Sequence, residues 1–182
     1  MIVFRLAAEK FKNDLSGKGA AIWGGRWNPV GVPMLYTSQS RALANLELMV
    51  HTIPGVVPEG YYILEIEIPE TVPLLEVTEK QLPQNWRRME HVTQLIGQDV
   101  IKQQLYTGLK VPSASVPHEC NYLLDPGHPD FHLIKIIRVE PYAFDERLFD
   151  AAIRVERQPI DRPATEEELK NQDSGSFDTI LS

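Results

Sequence analysis

A carboxylate set among apolar neighbours is the first group in this chain with chemical potential. Glu47 falls in RALANLELMVH, where Leu43 lies one helical turn before it and Val50 and His51 one turn after. A charge on a mainly apolar helix needs a partner or a reaction that uses it. Two readings stand: an i,i+4 pair with His51 at the edge of the core, or a catalytic carboxylate. A second charged group, Arg26, lies in GGRWNPVG, between glycines that let backbone approach a ligand and tryptophans that can wall a pocket. Its guanidinium can grip a phosphate through two parallel hydrogen bonds. It can equally tie down a long loop by bonding carbonyls. The glycine spacing matches neither a Walker loop nor GxGxxG. Tyr36 in MLYTS reads as a core tyrosine with a satisfied hydroxyl, and Ser113 in VPSAS as a turn serine bonding nearby backbone. Trp23 and Trp27 read as loop anchors ahead of ligand stackers, because a long loop must bury something.

PHECNYLLDPGHPDFH gathers the most metal-ligand types: His118, Cys120, Asp125, His128, Asp130 and His132. His128 and His132 have i,i+4 spacing, but Pro126, Gly127 and Pro129 oppose the helix that would align them, and no CxxC pair is present. No metal site is expected. A Cys120 nucleophile with His118 as base lacks an orienting third group.

The elements that must position these groups follow from periodicity. MIVFRL reads as a strand. Residues 17–33, GKGAAIWGGRWNPVGVP, hold five glycines, two tryptophans and two prolines and predict a structured loop with no regular element. MLYTS is a short strand, after which Ser38 or Ser40 caps a helix running to about His51, ended by Pro54 and Gly55. With Ala42, Leu43, Leu46, Met49 and Val50 on one broad side, that helix is expected to be well buried. GYYILEIEIP alternates, placing Tyr62, Leu64, Ile66 and Ile68 on one face and Tyr61, Glu65 and Glu67 on the other. VPLLEV and HLIKIIRVEP read as strands, LKVPSAS as an extended piece, and VTQLIGQDVIKQQLY as a helix weakened by Gly97. Mixed elements without a βαβ rhythm predict an α+β fold, a compact mixed sheet with flanking helices, over residues 1–150. Residues 151–182 form an acidic C-terminal tail in which PATEEELK can make a turn or two of helix under Thr165.

The 182 residues carry 43% apolar content, enough for one core, and a net charge of -7 with no massed basic block. Direct binding to nucleic acid is not expected. A lone Cys120, the absence of a secretory pattern at the start and the lack of an 18-residue apolar run predict a cytoplasmic protein without a membrane anchor.

Taken in order, FRL, LSGKGAAIWGGRWNPVGVPMLYTSQSRALANLELMVH, VPSASVP, and NYLLDPGHPDF followed by a strand and FDERLF resemble the RES-domain family from about residue 3 to 149. The family is named for an Arg, a Glu and a Ser, here Arg26, Glu47 and Ser113. The resemblance implies a fold similar to the ADP-ribosyltransferases and a bacterial toxin that depletes NAD by cleaving its nicotinamide–ribose bond, with water or phosphate as acceptor. NAD is then the substrate and no cofactor is required. Its implied partner is a cognate Xre-type antitoxin, with the toxin paired as a homodimer inside a hetero-oligomer. By the same resemblance Arg26 would face the NAD phosphates, Tyr36 the nicotinamide or its ribose, and Glu47 the reacting ribose. Ser113 and Asn121 would line the pocket, and Arg5 would touch ribose or phosphate. Asp125 departs from the family's Asn before the proline. Transfer of ADP-ribose to a macromolecule, and a non-catalytic module that binds a nucleotide or partner, are the alternatives.

Elementary chemistry agrees with one carboxylate being enough. Nicotinamide leaves a pyridinium as a neutral molecule, so no acid is needed at the departing atom, unlike an ordinary glycoside. A carboxylate in a partly dry site stabilises the ribosyl cation that develops. Overall negative charge gives no long-range attraction for a pyrophosphate, so a local arginine becomes more necessary.

Overall fold

The computed structural model describes residues 1–149. Seven strands form one mixed sheet: β1 (Ile2–Ala8), β2 (Leu35–Ser38), β3 (Tyr61–Glu67), β4 (Leu74–Glu76), β5 (Gly108–Pro112), β6 (Cys120–Leu124) and β7 (Lys135–Tyr142). Their spatial order is β4-β5-β6-β2-β1-β3-β7, antiparallel throughout except for the parallel β4–β5 pair. Three helices accompany them: α1 (Lys18–Trp23), α2 (Arg41–Met49) and α3 (Glu90–Gln103). The expected α+β class is the one observed. β6 has no counterpart among the expected strands, because the ligand-type residues around CNYLL drew attention from its Tyr-Leu-Leu core.

Period-2 alternation gives the sheet an apolar layer on each face. One layer gathers Val3, Ala7, Leu35, Leu64, Ile66 and Leu124, packed against Ile134, Phe131 and Leu133. The other gathers Leu109, Val111 and Leu123 under Trp27, Met34, Trp86 and Val100. Trp27 and Trp86 meet at 6.1 Å between ring centroids, so the loop after α1 is nailed to the core through Trp27.

Between β1 and β2 the ladder is unusually short. Phe4↔Ser38 is their one register pair, whereas β1 and β3 pair from Ile2↔Glu67 to Ala8↔Tyr61. Arg5 stands at this divergence, its Nη1 donating to the Tyr36 carbonyl at 3.2 Å. The guanidinium thus satisfies a backbone acceptor on the neighbouring strand beside the one register pair.

Two expectations need correction. The segment 17–33 is not without regular structure: α1 forms inside it, and Gly24, at φ 72°, ends the helix in a conformation that side chains oppose. α2 is not well buried. Ser40 caps it, accepting from the Leu43 amide at 3.1 Å, and Leu43 and Ala44 are buried against β1 and β2. Ala42 is exposed, Leu46 is 41% exposed and Val50 61%. The helix lies along an open cleft, so only one side of it meets the sheet. Residues 151–182, with the PATEEELK turn, lie outside the described residues.

Candidate active site

A cleft of about 910 Å³ opens where β1 and β2 diverge. Its walls are α1 and the following loop, the central strands, α2 with His51, the start of α3, and the Pro112–Ser115 turn. Glu47 projects into it from α2 at the centre of a hydrogen-bonded set. Its Oε1 accepts from Ser113 Oγ at 2.8 Å and from Asn121 Nδ2 at 2.7 Å, and its Oε2 accepts from Ser115 Oγ at 3.0 Å. Three neutral donors fix the carboxylate in position while leaving it without a cationic partner within ion-pair distance among the described residues. The edge-of-core pair with His51 is not what holds it.

Each donor is itself held. Ser38 Oγ donates to Asn121 Oδ1 at 2.8 Å, which turns the amide so that its nitrogen faces Glu47. Ser113 Oγ accepts from the amides of Ser115 and Val116 at 3.1 and 3.0 Å, the local turn bonding foreseen for it, and spends its proton on Glu47. Ser113 is fully buried, and the cleft surface beside it belongs to Ala114 and Ser115. It therefore supports the carboxylate from behind; a role for it in lining the pocket does not match its position, because its hydroxyl is turned inward to close the turn. Ser115 was not singled out from sequence, and Ser38 was read only as a possible helix cap, a part that Ser40 takes. The second serine of SAS was the available signal for Ser115.

Tyr36 is a satisfied tyrosine on the cleft floor. Its hydroxyl donates to Asn28 Oδ1 at 2.7 Å and accepts from the Trp27 amide at 3.0 Å, and burial raises its pKa above the ordinary tyrosine value. Fully buried Asn28 also donates to the carbonyls of Ala20 and Val32, both at 2.8 Å, so the RWNP loop is closed around one amide. Asn28 is a structural hub that sequence reasoning missed.

Arg26 and Arg5 differ in how much of their charge is engaged. Arg26 Nη1 donates to the Arg87 carbonyl at 2.8 Å and Nη2 lies 3.4 Å from Glu90 Oε1, which places Arg26 both on the cleft wall and in the loop-anchoring role. Among the described residues, Arg5 has a buried Nε without a hydrogen-bond partner and no carboxylate within ion-pair distance, and burial lowers its pKa, with Asp14 opposing from further off. A half-buried cation whose Nε is dry and unpaired is costly, and an anionic ligand in the cleft would offset that cost.

His128 and Asp125 of the histidine-rich run serve structure. His128 Nδ1 accepts from the Asp130 amide at 3.1 Å and meets Thr107 Oγ1 at 3.0 Å, with Nε2 toward the Gln104 carbonyl at 3.2 Å. Asp125 accepts from Gln104 Nε2 and the Gly127 amide at 2.7 and 2.8 Å. Among the described residues, no three His, Cys, Asp or Glu side chains form a group that could hold a metal, and no helix is long and apolar enough to cross a membrane.

The α+β fold of this chain has a solved counterpart. A chain of the M. tuberculosis MbcT–MbcA toxin–antitoxin complex superposes with a TM-score of 0.61 over 81% of this chain and 86% of that one, at 18% identity. The RES domain family matches residues 2–145. Over 144 residues the chain is 42% identical to the Prs ADP-ribosylating toxin of Sphingobium sp. (strain YBL2), covering 77% of this chain and 89% of that protein. Toxin Res of Photorhabdus laumondii is 35% identical over 156 residues, 83% of this chain and 99% of that protein. The chain belongs to the RES-domain family.

Proposed function

We propose that this chain is the toxin of a toxin–antitoxin pair and that it acts in the cytoplasm by cleaving the nicotinamide–ribose bond of NAD. The observation that carries the reading is Glu47, a cleft carboxylate held by Ser113, Asn121 and Ser115 with no cation paired to it among the described residues. Oε1 has two donors and Oε2 one, supplied by an exposed serine, so Oε2 keeps accepting capacity. In the reaction the bond from ribose C1′ to the pyridinium nitrogen breaks and its electron pair leaves with neutral nicotinamide. Oε2 stabilises the cation left on the ribose and orients a ribose hydroxyl or the incoming acceptor. Water gives ADP-ribose and a proton; phosphate gives the 1-phosphate. Arg5, with no carboxylate at ion-pair distance among the described residues, and Arg26 supply the positive charge that the pyrophosphate needs.

Relatives named as toxins, and a structural neighbour solved as a toxin–antitoxin complex, support an antitoxin partner for this chain. By the family resemblance it is of the Xre type and binds a paired toxin. One relative's name, an ADP-ribosylating toxin, favours a second reading in which the acceptor is a macromolecule. NAD labelled in its adenylate half separates these outcomes. Label in ADP-ribose or its 1-phosphate supports cleavage, acid-stable label on a macromolecule supports transfer, and undiminished NAD supports a non-catalytic binding module.

Two expected results bear on this reading. Arg26→Lys keeps the charge but loses the planar fork and one of two directed contacts, so KM for NAD should rise. Because Arg26 also bonds the Arg87 carbonyl, melting should fall by about 2–4 °C, the shift for roughly 1 kcal/mol in a chain of this size. Steady-state kinetics beside a thermal melt checks both, and an unchanged KM with a lower melting temperature would leave only the loop role. Cutting the chain after residue 155 should leave NAD cleavage near wild type. Phe149, buried and edge-on to Phe144 at 5.5 Å, keeps its anchoring contacts, and the candidate site residues all precede it. A truncated chain that fails to fold would show that the tail packs on the core.

A further inference from the structure

Trp23 lines the cleft yet remains 84% exposed, more than any other large apolar side chain among the described residues. It is not the loop anchor that its composition suggested; Trp27, at 2% exposure, takes that part. Trp23 closes α1, and Gly19 stands one turn earlier on the same helical face, also on the cleft wall. A Cβ built at Gly19 would meet nothing within 4 Å among the described residues. An exposed indole therefore borders a strip of bare backbone with open space above it.

At about 910 Å³ the cleft is near the upper end of what a single ligand fills, and a nicotinamide riboside at Glu47 would occupy only part of it. We propose that Trp23 and the Gly19 backbone form the subsite for the purine base at the far end of the dinucleotide, an inference that rests on the NAD reading of this cleft. The base lies flat against the indole, and the missing side chain at Gly19 leaves it room. Stacking suits this position because it needs only an exposed aromatic face and a flat gap, and one stacked base contributes about five- to a hundredfold in affinity. A protein partner pressing on Trp23 would gain nothing from keeping Gly19 bare, since a side chain there would add to the contact.

ADP-ribose, which carries the purine and lacks the scissile bond, is the probe, with binding to the full chain followed by calorimetry and by tryptophan fluorescence. Trp27 and Trp86 are each 2% exposed, so quenching reports on Trp23. Trp23→Ala should weaken ADP-ribose binding about five- to a hundredfold and Trp23→Phe much less. Gly19→Leu enters open space on a helix and should melt no lower than wild type, yet it should weaken binding as Trp23→Ala does. KM for NAD should rise with kcat held within about twofold, and nicotinamide mononucleotide, which lacks the purine, should bind Trp23→Ala as it binds wild type. Wild-type ADP-ribose affinity in both Trp23→Ala and Gly19→Leu, in a protein that cleaves NAD, overturns the subsite alone. The same result with loss of a protein partner would make Trp23 a docking residue and overturn it equally. A wild-type protein that neither cleaves NAD nor binds ADP-ribose sinks the reading of the cleft together with its subsite.

Discussion

Glu47→Gln is expected to leave a folded protein that binds NAD and turns it over at least about a hundredfold more slowly, the low end for losing one transition-state electrostatic contact. The hydrogen-bonded set explains why this replacement is benign to the fold. A glutamine oxygen at the Oε1 position still accepts from Ser113 and Asn121, and its nitrogen faces Ser115, whose hydroxyl can rotate to accept. What is removed is the negative charge beside the ribosyl cation. KM should change little, because the pyrophosphate contacts belong to other residues. Single-turnover kinetics, with a melt to establish folding, checks the prediction, and expression of the variant should no longer harm the host. Near-wild-type turnover in a folded variant would remove Glu47 from the mechanism.

Gly97→Ala carries the largest expected effect on stability, and its sign opposes helix propensity. Propensity alone would have alanine stabilise the interior of α3 by about 1 kcal/mol. A Cβ at Gly97 would instead lie 1.9 Å from the Trp27 carbonyl oxygen and 3.0 Å from its carbonyl carbon, both backbone atoms that cannot rotate away. Helix and loop must separate, loosening Trp27 from Trp86 and shifting the neighbouring Arg26. The cost should be about 3 kcal/mol, the upper part of the range for overpacking, or a fall in melting temperature of roughly 6–12 °C. NAD cleavage per folded molecule should fall as well, since Arg26 moves with the loop. Chemical denaturation of the pair checks it, and a variant as stable as wild type would show that α3 and the loop are not locked at this point.

How much was legible depended on whether a residue's job was local. β3 alternated as read, although Ile63 on its nominally wetter face is also buried, and the Ser40 cap was visible in the residue type before an apolar run. Gly97 looked like a weakness in a helix because propensity is local, while its reason is a loop seventy residues earlier in the chain. α1 was hidden by glycines that in fact flank it and by Gly19, which it tolerates. Within the site, Glu47 and Ser113 could be singled out by type and setting, but the bond between them spans 66 positions and joins α2 to the turn after β5. Ser113 was expected at the pocket surface and is placed behind the carboxylate, because its oxygen also closes a turn. Ser38 and Ser115 carry no pattern of their own; only β2 pairing with β6, Ser38 opposite Asn121, makes the first of them meaningful. Arg5 shows the same limit, since its setting, with no paired carboxylate among the described residues, is a property of the split between two strands.

Nicotinamide release from NAD by the purified chain tests the central claim most directly, with folded Glu47→Gln protein as the comparison. Release catalysed over many turnovers by the wild type, accompanied by ADP-ribose or its 1-phosphate and falling at least about a hundredfold in the variant, is the expected result. NAD that stays intact on prolonged incubation with folded wild-type protein, or nicotinamide released equally fast by both proteins, would contradict it.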